Sequence, residues 1–269
     1  MKNPLKQILA LSAALFACAV SAFAQEAPAK IPNIQIDKVD FKQVSMPNAD
    51  QKYKWGQTLI EFKVQPSADG YLSGSFLNNV KMTLTLMYKR TAASLSGDGM
   101  TSSRARGKKG MEAVDKAVAE AGGDASAKFT SYRASVRFAA LKVGDGKKAY
   151  AFYIPGEIIE RDKEVTSGNA KPAYYYIEFE YNDMVISPFD AAGKFRSKYM
   201  DCPNAASLGA NFVINPNSKD AAQNFEMVRG WADATISDTK GLLVPAYLTP
   251  AGSGIVSGAP SVVREDVLQ

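Results

Sequence analysis

Histidine is absent from all 269 residues, and of two cysteines only Cys202 lies outside an apolar leader. Those two residue types supply most zinc ligands, the base of most nucleophilic triads and the usual near-neutral proton shuttle, so a hydrolase or metalloenzyme starts without its parts. One thiol after the leader permits no disulfide within the mature chain, and packing alone must hold the core. Cys202, just before Pro203, has no histidine to activate it and is expected to be an inert thiol, with a covalent bond to a partner as the alternative. No phosphate-cradling glycine loop follows a strand, and Asp69, Asp98 and Asp145 beside their glycines do not have the spacing of a calcium loop. No cofactor or metal is expected.

The N-terminus is built for export. Lys2 and Lys6 precede an uncharged apolar run from Ile8 to Val20, and Ala22 and Ala24 stand at the third and first positions before an expected cut after Ala24. That run is too short to span a bilayer, and lipidation at Cys18 is disfavoured by bulky Phe16 and by the apolar continuation Ala19-Val20. Removing residues 1 to 24 takes two lysines and no acid from 32 basic and 27 acidic residues, leaving a net charge of +3. So small a surplus, on an exported chain, argues against nucleic acid as a partner. The expected location is the periplasm or the cell surface, with peripheral membrane association open.

After a Pro/Ala linker over 25–33, period-two alternation dominates. Ile34, Ile36, Val39 and Phe41 predict a first strand with a bulge between Ile36 and Val39. Thr58, Ile60, Phe62 and Val64 line one face of a second, and Val80, Met82, Leu84, Leu86 and Tyr88 one face of a third. Residues 129–143 and 148–154 flank the turn Gly144-Asp145-Gly146, with Pro155-Gly156 ending the second of these strands. Residues 174–181 and 184–187 flank Asn182-Asp183, with Ile177, Phe179 and Tyr181 inward and Glu178 and Glu180 outward. About seven short strands with turns between them predict a mainly β fold, an antiparallel immunoglobulin-like β-sandwich over 34–195, with an open barrel as the alternative.

Two segments break the pattern. Met111, Val114, Val118 and Ala121 recur at helical spacing inside an insertion over 94–127, predicting a helix near 105–121. Phe225, Val228, Trp231 and Ala232 predict a second near 218–236, within a C-terminal elaboration over 196–250. The stretch from Leu242 on, including the tail 251–269, reads equally as a strap or a loose end.

Candidate binding residues are few. Arg104, Arg106, Lys108 and Lys109 form the one dense basic run, fit for an acidic protein, lipid head group or anionic glycan, though a charge run is more often a solvated loop. Tyr174 and Tyr176, in Tyr174-Tyr175-Tyr176, would stack on a sugar if their rings were exposed, as would Trp55; tyrosine is also simply a good strand residue. The pairs Glu157 with Glu160 and Glu178 with Glu180 are read as strand surface rather than as an acid–base pair, and Ser237 with Lys240 as a chance match to a serine–lysine motif.

The leader, Val39-Asp40-Phe41, Trp55 with Leu59-Ile60-Glu61-Phe62, and the block Ala151-Phe152-Tyr153-Ile154-Pro155-Gly156 to Glu160-Arg161 before Tyr175-Tyr176-Ile177 resemble exported proteins of the Akkermansia group of Verrucomicrobia. Some of these are encoded beside type IV pilus genes and have an immunoglobulin-like sandwich with added helices. The resemblance spans about residues 35–190 and carries over no functional residue. It implies a non-enzymatic envelope or pilus-associated role, and the leading expectation is a structural or assembly component that meets envelope or pilus proteins by strand addition or by docking a helix face. A glycan- or ligand-binding module is the alternative, and a carboxylate hydrolase the third.

Overall fold

The computed structural model describes residues 31–47, 52–67, 70–89, 129–162, 171–189, 196, 198–201, 226, 229–230, 232–233, 243–249 and 259–263. The predicted leader, the insertion 94–127 with Arg104, Arg106, Lys108 and Lys109, and Cys202, Phe225, Val228, Trp231, Ser237 and Lys240 lie outside them.

Among the described residues, ten strands follow in chain order: β1 (Asn33–Val44), β2 (Trp55–Gln65), β3 (Phe76–Lys89), β4 (Phe129–Lys142), β5 (Lys148–Ile154), β6 (Tyr174–Tyr181), β7 (Met184–Ile186), β8 (Met200–Asp201), β9 (Val244–Pro245) and β10 (Val262–Val263). A four-stranded sheet has the order β1-β2-β5-β9, and a six-stranded sheet the order β10-β4-β3-β6-β7, with β8 also on β6. Every pairing is antiparallel. Chain order therefore crosses between sheets so that β1-β2-β5 faces β4-β3-β6-β7, the crossing pattern of an immunoglobulin-like sandwich with a strand added beside β3.

Alternation explains the layers. Ile60, Phe62 and Val64 of β2, Val80, Met82, Leu84 and Leu86 of β3, and Ile177 and Phe179 of β6 are all buried between the sheets. Phe62 sits at the centre, 5.6 Å from both Phe138 and Phe179, and the rings of Phe138 and Tyr150 meet edge to face at 5.4 Å. Tilted and edge contacts of this kind add about 0.5–1.5 kcal/mol each to the burial of the rings.

Two irregularities let the pattern close. In β1, Ile36 pairs with Phe62 and Lys38 with Glu61, so Asp37 is the extra residue of the expected bulge, and Val39 and Phe41 turn back toward the core. In β3, Asn79 adopts φ +60°, and Leu77 and Val80, three apart, are both fully buried. Strict alternation would have put one of them outside.

Three features depart from or complete the sequence expectations. Pro155 ends β5 as expected, but the chain then forms a short helix, α1 (Gly156–Asp162), in which the N–H groups of Ile158 and Ile159 both donate to the Pro155 oxygen. Glu157 and Glu160 are thus exposed helix residues, not strand surface. Ile158 and Ile159 pack against the core, which is what draws the segment into a turn. The C-terminal stretch forms a strap at its described parts: β9 pairs with β5, a 3-10 turn (Ala246–Leu248) follows, and β10 pairs with β4. Helical conformation at 226, 229–230 and 232–233 falls within the second predicted helix. Among the described residues, no helix is long and apolar enough to cross a membrane.

Candidate functional site

The outward residues of the six-stranded sheet form a polar face. Register places Lys81, Thr83 and Thr85 of β3 between Arg137, Ser135 and Arg133 of β4 and Glu180, Glu178 and Tyr176 of β6. Cross-strand neighbours of opposite character bond to one another. Lys81 Nζ donates to Glu180 Oε1 at 3.0 Å, Thr83 and Ser135 share a 2.9 Å hydroxyl bond, and Arg137 donates to the Asn79 side chain.

Arg133 is the hub. Its Nε donates to Thr85 Oγ1 at 2.9 Å, its Nη2 donates to the Tyr176 hydroxyl and to the Asp233 carboxylate, and its guanidinium lies 5.8 Å from the Tyr176 ring centroid. Burial alone would lower Arg133, but Tyr176 and Asp233 outweigh it and hold the guanidinium charged. Arg229 Nη2 reaches Glu178 Oε1 at 3.3 Å. Burial pushes the Glu178 carboxyl above its usual range; Arg229 and Arg133 pull it down, while Glu180 and Asp233 push it further up. Helical residues Arg229 and Asp233 therefore lie over this face, and Ala232 beside them is fully buried.

This placement corrects the stacking expectation. Tyr174 and Tyr176 do share the outward side of β6, but both are fully buried and Trp55 is 8% exposed, so none presents a free ring to a sugar. Tyr174 packs edge to face on Phe129 at 5.7 Å, and Tyr176 serves Arg133. Glu178 and Glu180 each face a cation of their own, Arg229 and Lys81, rather than one another across a cleft. Among the described residues, no group of three or more acidic or cysteine side chains converges as metal ligands would. Arg133, the most connected residue of the face, was legible in the sequence only as one of the polar positions alternating along β4.

The sheet edges differ from one another in how they are covered. At β1, Tyr199 beside β8 donates from its hydroxyl to the Ile34 oxygen at 2.6 Å, and Lys198 Nζ donates to the Asp37 oxygen. Asp37 itself holds Lys63 at 3.3 Å and Lys147 at 3.4 Å; burial would raise its carboxyl, and these two lysines outweigh that and lower it. On the opposite side, β9 and β10 sit on the edges of β5 and β4. The three-residue strand β7 is different: Met184 and Val185 are 48% and 53% exposed, and no described strand pairs with its outer side.

No protein-family model matches the chain, and no curated protein does. A crystal structure of a protein from Akkermansia muciniphila is similar at 14% identity with a TM-score of 0.46, over 89% of this chain and 97% of that one. It comes from the bacterial group that the strand patterns resemble, and a likeness of that degree carries no argument about function. The sandwich rests on the strand pairing itself.

Proposed function

We propose that this protein is an exported, non-catalytic β-sandwich of the bacterial envelope, possessing an edge that docks another envelope or pilus protein. The observation that carries the docking is the outer strand β7, which turns Met184 and Val185 to solvent at an edge of the six-stranded sheet that no described strand extends. Natural sheet edges are usually blunted by lysine, proline or a covering loop, and the β1 edge here is tied down in that manner by Lys198 and Tyr199. β7 carries no charge of its own, and an uncharged, apolar edge fits an added strand or an apolar partner surface. The pairing of each face carboxylate with its own cation supports a structural over a hydrolytic role.

A photo-crosslinker placed at Val185 in cells is expected to capture one defined envelope protein, and the same group at exposed Lys42 on β1 is not. Val185→Lys should abolish co-purification of that protein while leaving the thermal transition of the sandwich unchanged. Equal capture at both positions, or none at Val185, would remove the reading.

A further inference from the structure

A tyrosine that loses one electron also gives up its hydroxyl proton and becomes a phenoxyl radical, which joins a second such radical through a ring carbon next to the oxygen. Where a second phenol already stands against the first, the coupling is confined to that pair. Eight of the twelve tyrosines are buried, and the four that keep contact with water are Tyr53, Tyr71, Tyr181 and Tyr247. Tyr71 and Tyr181 are partners. The Tyr71 hydroxyl donates to the Tyr181 hydroxyl at 2.8 Å, and the two rings meet edge to face with centroids 5.8 Å apart. Tyr88 and Tyr132 meet at a similar 5.7 Å but are only 3% and 2% exposed, out of reach of an oxidant in water. The main chain holds the wetted pair from both sides. Tyr71 lies in the connection that carries the chain from β2 of one sheet to β3 of the other, and Tyr181 ends β6, where it pairs with Val80 and Met184. The Ser67 N–H donates to the Tyr71 oxygen, and the Gly74 N–H to the Val143 oxygen at 2.9 Å, so the turn is tied to the hairpin between β4 and β5.

We infer that Tyr71 and Tyr181 form an oxidative crosslinking site, at which hydrogen peroxide acting through a haem peroxidase joins the two rings as dityrosine. Each phenol yields one electron and its hydroxyl proton, and one peroxide takes up both electrons and both protons to become two waters. The new bond joins the carbons ortho to the two oxygens. The hydrogens on those carbons leave as protons and each oxygen takes one up, so the product keeps two phenols and lacks two hydrogen atoms. Only Cys202 lies outside the apolar leader, so a mature chain has no disulfide to restrict its unfolded state; the carbon–carbon bond does so between residues 110 positions apart. This chemistry belongs to the folded chain and holds whether or not β7 docks a partner.

The test treats the full mature chain, dilute enough to favour coupling within one molecule, with hydrogen peroxide and a haem peroxidase, and then cuts it after lysine and glutamate for mass spectrometry. Residues 64–81 carry Tyr71 as their one tyrosine, and cutting after Glu180 parts Tyr181 from the tyrosines at 174–176. The expected result is blue dityrosine fluorescence in the monomer, with the Tyr71 and Tyr181 peptides joined and lighter by two hydrogen atoms. The urea midpoint should rise by about 1–2 M, because the link removes freedom from the unfolded chain. Tyr71→Phe and Tyr181→Phe keep both rings and should each abolish the fluorescence and the rise, while their untreated forms unfold in one transition as the parent does. Fluorescence that persists in either variant overturns the site. So do a link between other tyrosines in place of these two, and peroxide consumption that leaves the monomer without dityrosine.

Discussion

The hydroxyl of Tyr199, beside β8 on the six-stranded sheet, donates a 2.6 Å hydrogen bond to the main-chain oxygen of Ile34 in β1, the edge of the other sheet. Both residues are buried, Tyr199 at 1% and Ile34 at 0% exposure, and the Tyr199 ring also packs 6.0 Å from Phe179. The bond closes one open side of the sandwich and occupies a carbonyl that an edge strand would otherwise offer to another chain. Tyr199→Phe keeps the ring and strands the Ile34 oxygen without water. The expected cost is about 1–3 kcal/mol, read as a lower urea midpoint with an unchanged slope. A variant as stable as the parent would show that the carbonyl finds another donor.

Alkaline pH should loosen the fold through its buried tyrosines. Burial pushes Tyr199 up to about 12 against the pull of nearby Arg196, and burial with the Tyr181 hydroxyl, 2.8 Å away, pushes Tyr71 up to about 12. Burial raises Tyr153 as well. An unfolded tyrosine titrates near about 10, so the folded state holds its protons longer; the stability these groups contribute is complete below about pH 10 and is lost as pH rises toward about 12. Absorbance at the tyrosinate band should show a late-titrating group of tyrosines in native protein that merges with the rest in urea. Tyr71→Phe should shrink that late group, and a urea midpoint flat up to about pH 12 would refute the assignment.

Phe62 is the ring on which the two sheets meet, touching Phe138 of β4 and Phe179 of β6 from β2. Phe62→Ala removes a fully buried side chain from contacts that the surrounding strands cannot close, and should cost about 3–5 kcal/mol by urea unfolding. Leu72, 70% exposed in the turn before β3, has almost nothing to lose, and Leu72→Ala should stay within about 0.5 kcal/mol of the parent. Similar losses at the two positions would mean that the inter-sheet layer is not where the stability resides.

Much of the sandwich is legible residue by residue. Ile34 and Ile36 against Val39 and Phe41 announce the bulge at Asp37, because two apolar pairs out of phase can share one core only if a residue is inserted. Asn79 and the helix after Pro155 are harder. The left-handed turn at Asn79 is a local conformation that brings Leu77 inward, and α1 forms where Ile158 and Ile159 find the core, a contact that exists only after the sheets have stacked. The sites divide in the same way. Arg133, Thr85 and Tyr176 are recognisable as outward strand positions, yet their union around Asp233 links residues about a hundred positions apart.

Composition and alternation by themselves determined that this chain builds antiparallel strands with an apolar and a polar side and lacks the histidines of common hydrolytic machinery, since side-chain direction in a strand follows from its two-residue repeat. Only the tertiary structure decided what lies against each polar side. Tyr174 and Tyr176 point outward as their positions require and are nonetheless buried, while Met184 and Val185 stay open. The repeat sets which way a side chain faces; whether water or another segment meets it there depends on contacts between parts of the chain that carry no local mark of one another.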